Sequence, residues 1–118
     1  MRKLPGTELK NLTTGEVVYT PPQDADANIE LIDNLMIYIN DESLSDLDVL
    51  VKMAVIHHQF ESIHPFYDGN GRAGRIINIL YLVMNHLLDL PVLYLSRFII
   101  RDKSAYYKNL QDVRDTNE

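Results

Sequence analysis

The chain is 118 residues long, which is room for one domain with one hydrophobic core, and its 46% hydrophobic and 24% charged residues exclude a disordered composition. Seventeen acidic against eleven basic side chains give a net charge of −6, which excludes nucleic-acid binding by general phosphate neutralisation but not a small anion held by a few local donors. The absence of cysteine excludes disulfides, thiolate zinc sites and a cysteine nucleophile, and no apolar run follows Met1-Arg2-Lys3-Leu4-Pro5-Gly6, so a cytoplasmic location without a signal peptide is expected.

Along residues 1–23 there is no helical periodicity. Thr14-Gly15 stands between Leu12 and the β-favouring run Val17-Val18-Tyr19-Thr20, and Pro21-Pro22 close the segment, which predicts a short hairpin flap over residues 10–22. Ile29, Ile32, Leu35, Met36 and Ile39 follow helical spacing and predict a helix over 27–40, with Asp24 or Asp26 as its N-cap. Ser45 and Asp48 resemble a capping box opening a second helix over 46–63, with Leu47, Leu50, Val51, Ala54, Val55 and His58 on its buried face. A third helix is expected over 71–88, ended by Pro91, a short one over 97–101, and a last one over 102–115 with Tyr106, Leu110 and Val113 along one side. The expected fold is mainly α, a helical bundle with one β flap, in a single domain covering residues 1–118.

Eight of the seventeen carboxylates lie between Asp24 and Asp48, where there is no Lys or Arg, and read as a solvated surface rather than a docking site for a basic partner. The apolar stretch from Ile76 to Leu95 is long enough to span a bilayer, but Asn78, Asn85, His86, Asp89 and Pro91 interrupt it. A helix buried on most sides of a core is expected there, with His86 as a core histidine and no membrane partner. His57 and His58 are adjacent, so they point to different helix faces and read as packing or surface residues rather than metal ligands. Glu61 reads as a structural or solvent-facing carboxylate.

The chemistry is concentrated in His64-Pro65-Phe66-Tyr67-Asp68-Gly69-Asn70-Gly71-Arg72-Ala73-Gly74-Arg75, where a loop enters an apolar helix. Glycines there let backbone N–H groups converge into an anion nest, and a helix N-terminus adds unpaired donors and partial positive charge. Arg72 and Arg75, three apart, project from one side of the first turn, and their guanidinium forks match phosphate oxygens. Asp68 can hold a Mg²⁺ ion that bridges phosphates, and His64, with an ordinary pKa near 6.5, can accept a proton. Together these describe a polyphosphate site with a metal and a general base. Neither a Walker A loop nor a Rossmann fingerprint fits, because no Lys-Ser/Thr follows the second glycine and no strand precedes the segment.

HPFYDGNGRAGR resembles the Fic family signature His-x-Phe-x-Asp/Glu-Gly-Asn-Gly-Arg-x-x-Arg at every fixed position. LPGTELKNLTTGEVVYTPP is similar to the lead-in and flap of Fic proteins, and Tyr106-Tyr107-Lys108-Asn109-Leu110-Gln111 to the tyrosine pair of their nucleotide-side helix. The resemblance implies an ATP-dependent protein adenylyltransferase, which moves AMP from ATP to a Ser, Thr or Tyr hydroxyl of a target protein and releases pyrophosphate. It implies His64 as general base, Asp68 as the Mg²⁺ ligand, and Gly69, Asn70, Gly71, Arg72, Ala73, Gly74 and Arg75 around the phosphates. Within that loop, Arg72 would take the β- and Arg75 the γ-phosphate. It further implies Tyr106 and Tyr107 beside the adenine, Val17, Val18, Tyr19 and Thr20 pairing with the target, and Phe66 anchoring the loop under His64. The family's inhibitory helix carries a glutamate in a Ser/Thr-x-x-x-Glu-Gly/Asn context, which none of Glu8, Glu16, Glu30, Glu42, Glu61 and Glu118 shares. A core without flanking regulatory segments is therefore expected, with regulation from a separate chain or self-association through exposed apolar surface. A deAMPylase, a transferase of another phosphate-containing group on the same scaffold, and a truncated non-catalytic nucleotide-binding module are the alternatives.

Overall fold

The computed structural model describes residues 1–91 and 95–116, with Leu95, Ser96 and Phe98 described by their backbone alone. The final three residues of the apolar stretch before Leu95, and Glu118, lie outside the described residues. In chain order the elements are β1 (Leu9–Lys10), β2 (Val17–Tyr19), α1 (Ala25–Asn40), a 3₁₀ turn (Glu42–Leu44), α2 (Val49–Ile63), α3 (Asn70–Met84), α4 (Leu95–Arg101) and α5 (Lys103–Asp115). The architecture is mainly α with one small hairpin.

The hairpin pairs β1 and β2 antiparallel, Leu9 opposite Tyr19 and Lys10 opposite Val17, with an irregularity between Leu9 and Lys10. Its turn is built by Asn11, whose Oδ1 accepts from the N–H groups of Thr13 (2.8 Å) and Thr14 (3.2 Å), and by Gly15 at φ 73°. Leu12 is at the tip, fully exposed, and Thr20 falls just past the strand.

Asp24 caps α1, accepting from the Ala27 N–H at 2.8 Å, so the helix begins two residues before the expected start. Asp41 and Asp48 cap the 3₁₀ turn and α2 in the same way. Three of the eight clustered carboxylates are thus helix caps. The expected Ser45 box is corrected by this: Asp48 is itself the N-cap, Ser45 Oγ accepts only from the Leu47 N–H, and α2 starts at Val49.

Helix α2 is the centre of the molecule, with α1 on one side and α3 on the other. The core is Leu35 of α1, Ile56, Phe60 and Ile63 of α2 and Tyr81 of α3, with Leu31, Ile32, Met53 and Ile77 packed against it. This corrects the expected α2 face. Leu47, Leu50, Val51 and Val55 are 43–54% exposed, because α2 carries a second apolar side and its neighbours cover the Ile56–Phe60–Ile63 side. Lys52 takes part in that covered side, 4% exposed, by laying its ammonium over the Tyr38 ring and donating to the Asp41 carbonyl at 3.3 Å.

Helix α3 stops at Met84, four residues before the expected end and well before Pro91. The Leu87 N–H bonds the Leu82 carbonyl and the His86 N–H bonds the Val83 carbonyl, with His86 at φ 58° in the left-handed position usually given to glycine. His86 is exposed, so it is a helix stop rather than a core histidine. Nor is α3 buried on most sides: Ile76, Leu80 and Met84 are about half exposed, and Leu80 and Met84 line an apolar groove of about 240 Å³ with Ile32 and Met36 of α1. No described helix is long and apolar enough to cross a membrane.

Candidate active site

The site lies between the end of α2 and the start of α3. His64 caps α2 in the left-handed region (φ 50°, ψ 58°), its N–H bonded to the Phe60 carbonyl at 3.0 Å. Pro65 follows, buried, and the chain then bends through Phe66, Tyr67 and Asp68. Asn70, 3% exposed, staples the bend: its Oδ1 accepts from the Phe66 N–H at 2.9 Å and its Nδ2 donates to the Phe66 carbonyl at 2.8 Å. Phe66 meets Phe60 at a ring-centroid distance of 6.4 Å and remains 39% exposed, so it leans on the core from its rim.

Gly69 sits at φ 83° before the first turn of α3, and no side chain caps the helix. The first N–H groups of α3 therefore have no intrahelical acceptor and converge at its positive end. Both guanidinium groups fold back toward this end, as helical side chains lean toward the N-terminus. An added Cβ on Gly69 would lie 3.3 Å from Arg72 Nη2, and one on Gly71 3.3 Å from Arg75 Nη1. Arg72 also pairs with Asp68 at 3.2 Å, both side chains largely exposed and free to exchange that contact for another anion. Ala73 carries no donor beyond its backbone, and its N–H is already bonded to the Gly69 carbonyl at 2.9 Å.

Gly74 is a close approach between helices. A Cβ there would stand 2.8 Å from Glu61 Oε1 and 3.2 Å from the His57 ring, so any larger residue would have to push these side chains aside. His57 Nε2 in turn shares a 2.7 Å hydrogen bond with the Tyr106 hydroxyl of α5. Glu61 Oε1 is buried with no hydrogen-bond partner. Burial raises the Glu61 pKa against the opposing pull of Arg75 and Arg114, and burial also raises that of Tyr106, helped by Glu61.

His64 is half-buried, and its Nδ1 is enclosed without a partner. Burial holds its pKa below the ordinary imidazole value, with Arg2 and Arg114 pushing the same way and the Glu61 backbone opposing. The imidazole is therefore neutral at neutral pH and free to take a proton.

The sequence profile of the Fic/DOC family matches residues 2–82, more than half of the chain. The chain belongs to the Fic/DOC family. It is 39% identical over 69 residues to a probable protein adenylyltransferase of Aquifex aeolicus (strain VF5), covering 58% of this chain and 19% of that protein. It is 30% identical over 82 residues to the protein adenylyltransferases fic-1 of Caenorhabditis briggsae and Caenorhabditis elegans, covering 70% of this chain and 15% of each. The Fic/DOC chain thus spans under a fifth of the length of these curated relatives.

Of the residues singled out from sequence, the structure brings His64, Asp68, Gly69, Asn70, Gly71, Arg72, Ala73, Gly74 and Arg75 into one loop and helix start. It separates the tyrosine pair by environment. Tyr106 is half-buried on His57, whereas Tyr107 is 63% exposed and meets Tyr106 edge-on at 5.1 Å. On the flap, Val17 and Val18 are nearly half exposed, while the Tyr19 hydroxyl donates to the Ser62 carbonyl at 3.0 Å and ties β2 to the chain two residues before His64. Among the described residues no group of three or more His, Asp or Glu side chains is placed to hold a metal ion.

Two arginines of this Fic/DOC domain that contact the end of α2 were not singled out by sequence reasoning. Arg114 of α5 stacks over the Tyr19 ring at 4.3 Å and its Nε donates to Ser62 Oγ at 3.5 Å, tying the last helix to the flap beside His64. Arg2, 1% exposed, has its guanidinium against the carbonyls at the end of α2. Neither lies in a motif, since the hydrogen-bond partners they find at the end of α2 are 52 to 62 residues away in sequence.

Proposed function

We propose that this domain transfers AMP from ATP to a hydroxyl of a target protein, with residues 1–118 acting as one catalytic unit. The observation that carries the reading is the uncapped start of α3, with both arginine forks folded back over Gly69 and Gly71 and a neutral His64 one loop away. The names of the adenylyltransferase relatives support the same chemistry.

In this reading the triphosphate lies on the first N–H groups of α3. Arg72 releases Asp68 to take the β-phosphate, and Arg75 takes the γ-phosphate. The Asn70 side chain holds the loop, which leaves backbone N–H groups of Gly69, Asn70 and Gly71 to meet charge on the α-phosphate. His64 Nε2, the ring nitrogen not enclosed, accepts the proton of the target hydroxyl as that oxygen bonds to the α-phosphorus. The bond to the bridging oxygen breaks and pyrophosphate leaves. Positioning and electrostatics supply the catalysis.

Asp68 fits a magnesium ion: its side chain is 93% exposed, and Mg²⁺ commonly takes one carboxylate together with substrate phosphates and water. When bound there the ion would offset phosphate charge. Tyr107, with its free face, borders the adenine, and Tyr106 backs it. The target strand pairs along β2, where Val17 and Val18 offer side chains and Thr20 continues the edge.

The test is incubation with Mg²⁺ and ATP labelled at either the α- or the γ-phosphate, with a cell lysate as acceptor. Label from the α position alone is expected in protein, and His64→Ala should abolish it while leaving ATP affinity within about threefold. Label from the γ position alone, label from neither, or an unchanged His64→Ala rate would overturn the reading.

A further inference from the structure

We infer that Arg2 is a positioning residue for the proposed base, fixing the direction of the His64 imidazole by holding the peptide planes on both sides of it. The inference rests on the reading of His64 as base. No other side chain hydrogen-bonds the His64 ring; its Nδ1 is enclosed, and the one group acting on the ring by hydrogen bonding is the Glu61 backbone, on the same helix end. Its direction depends on the backbone at the end of α2, and at His64 that backbone is in a conformation the following proline disfavours. His64 is a non-glycine residue at φ 50°, and it precedes a proline.

Arg2 supplies the constraint from the other end of the chain. Its Nε donates to the His64 carbonyl at 2.6 Å and its Nη2 to the Ile63 carbonyl at 3.1 Å, while its backbone N–H donates to the Pro65 carbonyl at 2.7 Å. Three successive carbonyls are thus bound by one residue. The Ile63 and His64 carbonyls belong to the two peptide planes that meet at the His64 Cα, and holding both planes fixes where its Cβ points. The same Nη2 donates to the Pro22 carbonyl at 3.0 Å, which ties the segment after the flap to this junction. A guanidinium suits this task because its donors form a rigid planar fork, whereas an ammonium is a point donor. The positive charge also lies at the C-terminal end of α2, where the carbonyls present partial negative charge.

The test compares wild type with Arg2→Lys and Arg2→Gln below their melting temperatures. Both variants are expected to lose at least about tenfold in kcat for AMP transfer, with KM and calorimetric affinity for ATP within about twofold, and to shift the His64 ring ¹⁵N resonances. Wild-type kcat in either folded variant, or loss of kcat and ATP affinity in the same proportion, would overturn the inference. If neither variant folds, wild type decides: the Arg2 Nε–H should exchange slowly with solvent, and fast exchange would refute the clamp. His64→Ala separates the two readings. A silent His64→Ala sinks the base, while an inactive His64→Ala beside fully active Arg2 variants sinks only the clamp.

Discussion

The proposed base His64 is one of three histidines set apart by burial. In His57, His58 and His64 alike, desolvation is the leading cause holding the pKa below its ordinary value near 6.5, with nearby arginines adding to it. The sign for stability follows directly. Between about pH 6.5 and the depressed values the unfolded chain binds more protons than the folded one, so stability falls as pH falls through that window. Glu61, raised by burial, works in the opposite direction as one group against three. The thermal midpoint is therefore expected to be lower at pH 5.5 than at pH 7.5, and the acid limb of the transfer rate to lie below pH 6.5. A midpoint that holds or rises on acidification would contradict this assignment. At this scale the candidate loop was legible in sequence, since twelve contiguous residues carry its donors and its proposed base. Arg2 and Arg114 were not, because an arginine that ends up buried or half-buried looks like any other until its distant carbonyl, hydroxyl or ring partner is known.

Among the elements, the existence of each helix could be read from spacing and caps, but not which side faces inward. Helix α2 offers two apolar faces, and only the packing of α1 and α3 selects the one through Ile56, Phe60 and Ile63. The ends failed for a related reason. Helix α3 ends on a left-handed histidine rather than at the visible proline, and Asp48 rather than Ser45 caps α2. The choice of face has a measurable consequence. Ile56 is fully buried, so Ile56→Ala should cost about 2–5 kcal/mol in denaturant unfolding. Val51 is half exposed, so Val51→Ser should stay within about 0.5 kcal/mol. Equal costs at the two positions would mean that the face assignment is wrong.

Taken whole, the molecule presents 8330 Å² to solvent, against roughly 6600 Å² for a sealed globule of this mass. The excess lies partly on the half-exposed apolar sides of α1, α2 and α3, which is why composition announced a core without revealing how open it is. The net charge of −6 is likewise no guide to the site, where Arg72 and Arg75 stand over an uncapped helix start. The whole account depends on that start gripping a triphosphate. Its most direct measurement is calorimetric titration of ATP and of ADP, with Mg²⁺, into wild type and Arg75→Ala. Arg75→Ala is expected to weaken ATP at least about tenfold while leaving ADP within about threefold. Equal losses for the two nucleotides, or none for either, would contradict it.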